Sequence, residues 1–122
     1  MSHYVDGFVL PLPKDKIEVY REIAEKAAKV WIEHGALEYH ECAGDDLEIK
    51  DVLPFTRIAD AGPDDTVVFA YIVYKSREHR DEVNAKVFAD PRMNEMCGSE
   101  GMPFDCKKMA YGGFKAIVSA KA

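Results

Sequence analysis

The chain has no apolar run long enough to form a membrane-spanning helix, so no membrane partner is expected. Met1 to Asp6 carry no basic segment followed by an apolar core, which excludes a secretory signal and leaves the cytoplasm as the expected location. Cysteine is scarce. The three cysteines, Cys42, Cys97 and Cys106, read as free thiols in that compartment. A Cys97–Cys106 disulfide is conceivable, but the compartment disfavours it. Bases are fewer than acids, 16 against 22, for a net charge of -6. Phosphate-backbone binding rests on clustered Lys and Arg, so no nucleic-acid partner is expected. Gly-rich phosphate loops, metal-ligand spacings, internal repeats and low-complexity tracts are all lacking. No metal or cofactor is therefore expected.

What is present is an ordinary globular composition, 48% hydrophobic and 31% charged, in 122 residues. That is enough chain for one domain, residues 1–122, with one real core. The stretch Thr66 to Tyr74 organises it. It is rich in β-branched and aromatic residues and free of charge, Gly and Pro, which predicts a strand. Val67, Phe69, Tyr71 and Val73 share one face, and Val68, Ala70 and Ile72 the other. Both faces are apolar, so both call for cover. The chain's own helices can cover one. A second copy of the protein is the obvious cover for the other.

His3 to Leu12 alternates weakly and predicts the first strand. Tyr4, Asp6, Phe8 and Leu10 fall on one face; Val5, Gly7 and Val9, on the other, suit close packing beneath a helix. Lys14 to His34 is the clearest helix, with Ile17, Tyr20, Ala24, Ala27 and Trp31 drawing one apolar stripe. Gly35 follows as a left-handed cap, and Trp31 reads as a core anchor. Ala36 to Cys42 predicts a short, polar edge strand with Leu37, Tyr39 and Glu41 on one face. The connection from Ala43 to Asp65 is long, and Phe55 to Ala61 within it reads as a short strand. Ser76 is a natural N-cap for a second helix ending near Ala89, with Val83 and Val87 on its buried side. Pro91 to Met96 adds a further helical turn, and Gly98 to Pro103 reads as loop. Lys107 to Val118 predicts the last strand, in which Gly112 and Gly113 signal a bulge or a close backbone approach.

The order β-α-β-β-α-β is the ferredoxin-like arrangement, an α+β fold with an antiparallel sheet and two helices on one face. The aromatic residues Tyr4 and Phe8 of the first strand, with Phe69 and Tyr71 of the third, are then expected to face outward together. Such a patch marks an interface or a ligand site.

Several motifs in this order resemble the YbaA-like family of bacterial proteins, a family of unknown function. They are Tyr4-Val-Asp-Gly-Phe-Val, His34-Gly-Ala-Leu, Glu41-Cys-x-Gly-Asp-Asp46, Asp90-Pro-Arg-Met93, Met102-Pro-Phe-Asp105 and Tyr111-Gly-Gly-Phe114. Ala43 stands where the family pattern has an aromatic residue. The resemblance spans nearly the whole chain. It implies a dimeric α+β barrel, in which two ferredoxin-like sheets pack face to face as a homodimer. Related barrels include cofactor-independent monooxygenases and small-ligand binders.

Asp6 is the odd member of an aromatic row. It reads either as a carboxylate in a partly apolar cavity, its pKa raised, or as a buried residue holding a dimer in register. Glu41, Asp45 and Asp46, with His40 and Cys42 nearby, are the densest group of potential ligands. Alternation sends His40 and Cys42 to the face opposite Glu41, so a metal site is disfavoured. Cys42 and Cys106 read as buried small hydrophobes without a base, His34 as a helix C-terminal residue, and His79 as solvent-facing. Tyr111 to Phe114 resembles the aromatic strand of an RNA-recognition module, but basic residues around it are few.

The residues expected to face a ligand are Tyr4, Asp6, Phe8, Tyr39, Glu41, Phe69 and Tyr71; no catalytic residue is assigned. Two functions fit: a small-molecule binder or cofactor-independent enzyme with a cavity, and a non-catalytic module whose sheet face serves only to dimerise. A cavity of a few hundred Å³ with convergent polar groups would favour the first.

Overall fold

The computed structural model describes residues 3–96 and 103–122. Cys97 and most of the expected loop from Gly98 to Pro103 lie outside the described residues. A four-stranded antiparallel sheet has the order β2-β3-β1-β4, built from β1 (Tyr4–Pro13), β2 (Glu38–Ala43), β3 (Asp65–Tyr74) and β4 (Ala110–Lys115). The two longest strands, β1 and β3, are central. The polar β2 and the glycine-bearing β4 form the edges, as their composition requires.

A short 3-10 turn, Lys14–Lys16, leads into α1 (Ile17–Glu33). Ala24, Ala27 and Val30 are buried on its inner side, and Gly35 ends it at φ 114°, a conformation that only glycine adopts without strain. The segment read as a strand near Phe55 is instead a single helical turn, α2 (Phe55–Ile58). It packs on β3 rather than pairing with it, so Phe55 lies 6.3 Å from the Phe69 ring. The Ser76 hydroxyl caps α3 (Arg77–Ala89) by accepting from the His79 N–H at 3.1 Å. After Asp90 comes α4 (Pro91–Met96). Two motif segments meet here. His34 Nε2 lies 2.8 Å from Asp90 Oδ2, and Arg92 pairs with both Asp90 and Glu33. These bonds tie the end of α1 to the α3–α4 junction.

The register corrects the expected faces. Tyr4 lies opposite Tyr74, Asp6 opposite Ile72, and Phe8 opposite Ala70. Residues opposite one another share a face, so Tyr4, Asp6, Phe8 and Leu10 lie with Val68, Ala70, Ile72 and Tyr74. This is the face beneath the helices. Tyr4 and Phe8 therefore do not face outward with Phe69 and Tyr71. The small set Val5, Gly7 and Val9 lies with Phe69 and Tyr71 on the outer face. Space for the aromatic row comes from α1, whose inner residues Ala24 and Ala27 are small and stand off from the sheet.

Among the described residues the core forms two clusters. Val30, Ile72, Tyr74, Val83, Val87 and Met93 form one under α1 and α3. Leu10, Leu12 and Val68 form the other, with Ile17 and Tyr20 against them. The outer face is only partly covered: Phe69 is 45% and Phe114 62% exposed.

Candidate functional site: a polar-ended cavity under the helices

A cavity of about 340 Å³ lies between the sheet and α1, bordered by residues of both core clusters. Its floor is Phe8, Leu10, Ala70 and Ile72, and its roof is Ala24, Ala27 and Trp31. An adjoining cavity of about 270 Å³ shares Tyr20, Tyr39 and Glu41 with it. Three polar groups interrupt the apolar walls.

The first is Asp6, 1% exposed. Arg80 Nη1 donates to Asp6 Oδ1 at 2.7 Å and to the Tyr111 hydroxyl at 2.9 Å, and Tyr111 donates to Asp6 Oδ2 at 3.1 Å. The Arg80 guanidinium also lies over the Tyr4 ring, 5.0 Å from its centre. Burial, then the Asp6 charge, push the Tyr111 phenol above its usual range. Tyr4 in turn rests on Gly113, where a Cβ would come within 2.8 Å of Tyr4 Cε2. Between a bulge and a close approach, Gly113 serves the second: the β1–β4 register runs unbroken from Tyr4 opposite Lys115 to Val9 opposite Ala110.

The second group is Trp31, Tyr74 and Asn84. Trp31 Nε1 donates to the Tyr74 hydroxyl at 3.1 Å and to Asn84 Oδ1 at 3.2 Å, and Tyr74 donates to Asn84 Oδ1 at 3.1 Å. Trp31 is thus a cavity wall as well as a core contact. Burial raises the Tyr74 phenol's pKa.

The third is Glu41. Tyr20 donates to Oε1 and Tyr39 to Oε2, each at 2.7 Å. Burial raises the Glu41 pKa against the lowering effect of these two bonds. Burial, followed by the Glu41 charge, drives the Tyr20 phenol well above its usual range.

Of the seven residues singled out from the sequence, Asp6, Phe8, Tyr39 and Glu41 line this cavity. Tyr4 stands behind Arg80 on the same sheet face. Phe69 and Tyr71 lie on the opposite face, where His40 stacks on Tyr71 at 4.7 Å. Asp6 lies on the helix-covered sheet face, buried and bonded to Arg80 and Tyr111 within the one chain. Asp45 and Asp46 are exposed in the loop, apart from Glu41. Cys42 and Cys106 are exposed, not buried. Cys42 is on the uncovered face of an edge strand, and Cys106 is in a 3-10 turn. His79 is half-buried, accepting from the Lys75 N–H at 3.0 Å, with its ring against Tyr74.

Sequence reasoning missed Arg80, Tyr111, Asn84 and Phe104. A signal for the α3 pair was present: positions 80, 84 and 87 fall at steps of four and three beside the buried Val83 and Val87. Phe104 packs edge-on to Tyr20 at 5.8 Å, a contact across the chain that no local pattern encodes.

Chemically, the cavity offers an apolar sleeve with acceptors at two places. A carboxylate accepts about four hydrogen bonds, and Asp6 and Glu41 each receive two from the described residues. Spare acceptor capacity remains on each.

The family model described as a protein of unknown function, DUF1428, matches residues 3–106. The uncharacterized protein YbaA of Escherichia coli strain K12 is 47% identical over 115 residues, which cover 94% of this chain and 97% of that relative. The same figures hold for the uncharacterized protein YbaA of Shigella flexneri. Among solved structures, a NIPSNAP-family protein of unknown function from Agrobacterium tumefaciens strain C58 superposes with a TM-score of 0.59 at 14% identity. The match covers 93% of this chain and 87% of that one. At that identity the likeness bears on the fold alone.

Proposed function

The chain belongs to the DUF1428 family, and from that premise we propose that it is a cytoplasmic small-molecule-binding protein, working as a homodimer, with its ligand site in the cavity between sheet and helices. The observation that carries this is the cavity of about 340 Å³ with Asp6 and Glu41 set in apolar walls. Its volume is in the roughly 300–1,000 Å³ range of small-molecule sites, and few polar groups in an apolar lining is their usual makeup. Asp6, Phe8, Tyr39 and Glu41 are the proposed ligand contacts, with Tyr20, Trp31 and Tyr111 added by the geometry. Tyr4 supports Arg80 from behind. Should the protein be an enzyme of the cofactor-independent kind, Glu41 is the group placed to exchange a proton with a bound molecule, because burial brings its pKa upward.

Phe69 and Tyr71 have a different part in this reading: they belong to the dimer face. Phe69 and Phe114 expose large aromatic area on one sheet side, and a contiguous apolar patch of that kind is an interface signal. The dimerisation-only reading draws on the same patch but leaves the cavity without a purpose.

Native mass spectrometry of freshly purified protein tests the proposal. A retained molecule released on denaturation, and lost in Ala27→Phe, is the expected result, since Ala27 roofs the cavity. A protein that carries no small molecule and is stabilised by none in a thermal-shift screen would overturn it.

A further inference from the structure

The cavity's charges do not balance. At one end, Asp6 is neutralised by Arg80 at 2.7 Å. At the other, Glu41 has two phenol donors and, among the described residues, no Lys, Arg or His pairs with it. Arg21, which lines the adjoining cavity, is taken up by Glu18 at 2.8 Å and Glu25 at 3.2 Å on the exposed side of α1. Glu41 is half-buried, and even a carboxylate partly removed from water is costly to leave unpaired. Two neutral donors offset part of that cost and leave the charge itself.

Around Glu41 the walls are aromatic. Tyr20 and Tyr39 bond to it directly, Trp31 stands 5.8 Å from Tyr39, and Phe104 stands 5.8 Å from Tyr20. Aromatic faces present negative potential, and Trp and Tyr rings beside a carboxylate form a setting that attracts an organic cation and repels an anion. Phe8, Leu10 and Ala70 continue the sleeve with no charge.

Resting on the cavity reading above, we infer that the ligand is a protonated amine with an apolar or aryl body: its ammonium pairs with Glu41 among Tyr20, Tyr39 and Trp31, and its body extends along the floor toward Phe8. The ammonium donates to the lone pairs that Tyr20 and Tyr39 leave open. The site thereby selects by charge first and by shape second.

Three probes of near-equal shape test this: 2-phenylethylamine, 2-phenylethanol and 3-phenylpropanoate. They are titrated calorimetrically into exhaustively dialysed protein at about pH 8, where the amine is protonated and carboxylates are ionised. The amine should bind roughly tenfold or more tightly than the alcohol, the scale of a charge-assisted hydrogen bond, and the propanoate should not bind. Glu41→Gln should bring the amine down to the level of the alcohol without weakening the alcohol. Should that variant fail to fold, the ranking of the three probes on the wild type decides alone. Alcohol or propanoate binding as tightly as the amine would overturn the charge assignment while leaving the cavity reading standing. Amine preference that survives in Glu41→Gln would overturn the assignment to Glu41. No binding by any of the three, at millimolar concentration, would count against both this inference and the cavity reading on which it rests.

Discussion

Glu41 and Asp6 are both carboxylates on strands, yet their surroundings set them apart. Asp6 is bonded to a cation and Glu41 to two phenols. Asp6→Asn leaves Arg80, whose side chain is 13% exposed, without its buried partner. Breaking a buried pair from one side costs roughly 3–5 kcal/mol, and urea unfolding should show a loss in that range, softened by the remaining Asp81 contact. A loss under about 1 kcal/mol would mean that water already screens the pair. Glu41 makes a forecast for pH instead. Its folded pKa is raised above the ordinary 4.5, with burial the main cause. Its stabilising contribution is then full below that ordinary value and is lost as pH rises through the raised folded value. Tyr20 and Tyr39 bond to it, while Arg21 and Glu25 in the adjoining wall are already paired with each other. Wild type should therefore lose stability relative to Glu41→Gln as pH climbs from about 4 toward neutrality. A stability difference that stays flat across that span would refute the burial of Glu41 as a charged group.

At the scale of elements, α1 and α3 were legible because the period of 3.6 is written in their own residues. Trp31 at the end of the α1 stripe and Val83 and Val87 on α3 all turn inward. Ser76 caps where a cap was expected. Strand faces were legible in alternation but not in direction. Alternation says that Tyr4, Asp6 and Phe8 go together; it does not say which side the helices take. The short turn at Phe55 misread as a strand because four residues carry too little period to separate the two. β4 supplies a test at this scale. Gly113 lets the Tyr4 ring lie against the backbone, and Tyr4 in turn backs Arg80. Gly113→Ala should push Tyr4 aside and cost about 1–3 kcal/mol, the range for overpacking. A shift below about 0.5 kcal/mol in thermal or urea unfolding would show that Tyr4 swings clear without loss.

At the scale of the whole molecule, one sheet face is filled by helices around a cavity and the other is left with Phe69 and Phe114 exposed. The proposed dimer covers that second face. Phe69→Lys should then give monomer or aggregate, since a charge would be buried in the interface without a partner. Light scattering on wild type at micromolar concentration should report twice the chain mass. A stable wild-type monomer would end the dimer reading, while the cavity, lined by residues of a single chain, would be untouched.

Period, turn chemistry and charge balance lie along the chain, and from them the sequence determined the order β-α-β-β-α-β, the extent of α1 and α3, the apolar character of both faces of β3, and the presence of an odd carboxylate in an aromatic row. Tertiary structure decided the rest. The β1–β3 register put Asp6 and Phe8 under the helices rather than beside Phe69. The crossing of α3 over the sheet brought Arg80 to Asp6 across 74 residues, and the return of β4 brought Tyr111 to Asp6 across 105. The packing of α1 on β2 set Tyr20 against Glu41, 21 residues away. Local pattern states which side of an element is apolar. Only the meeting of distant elements states which carboxylate finds a cation and which, like the half-buried Glu41, has two phenols as its partners among the described residues.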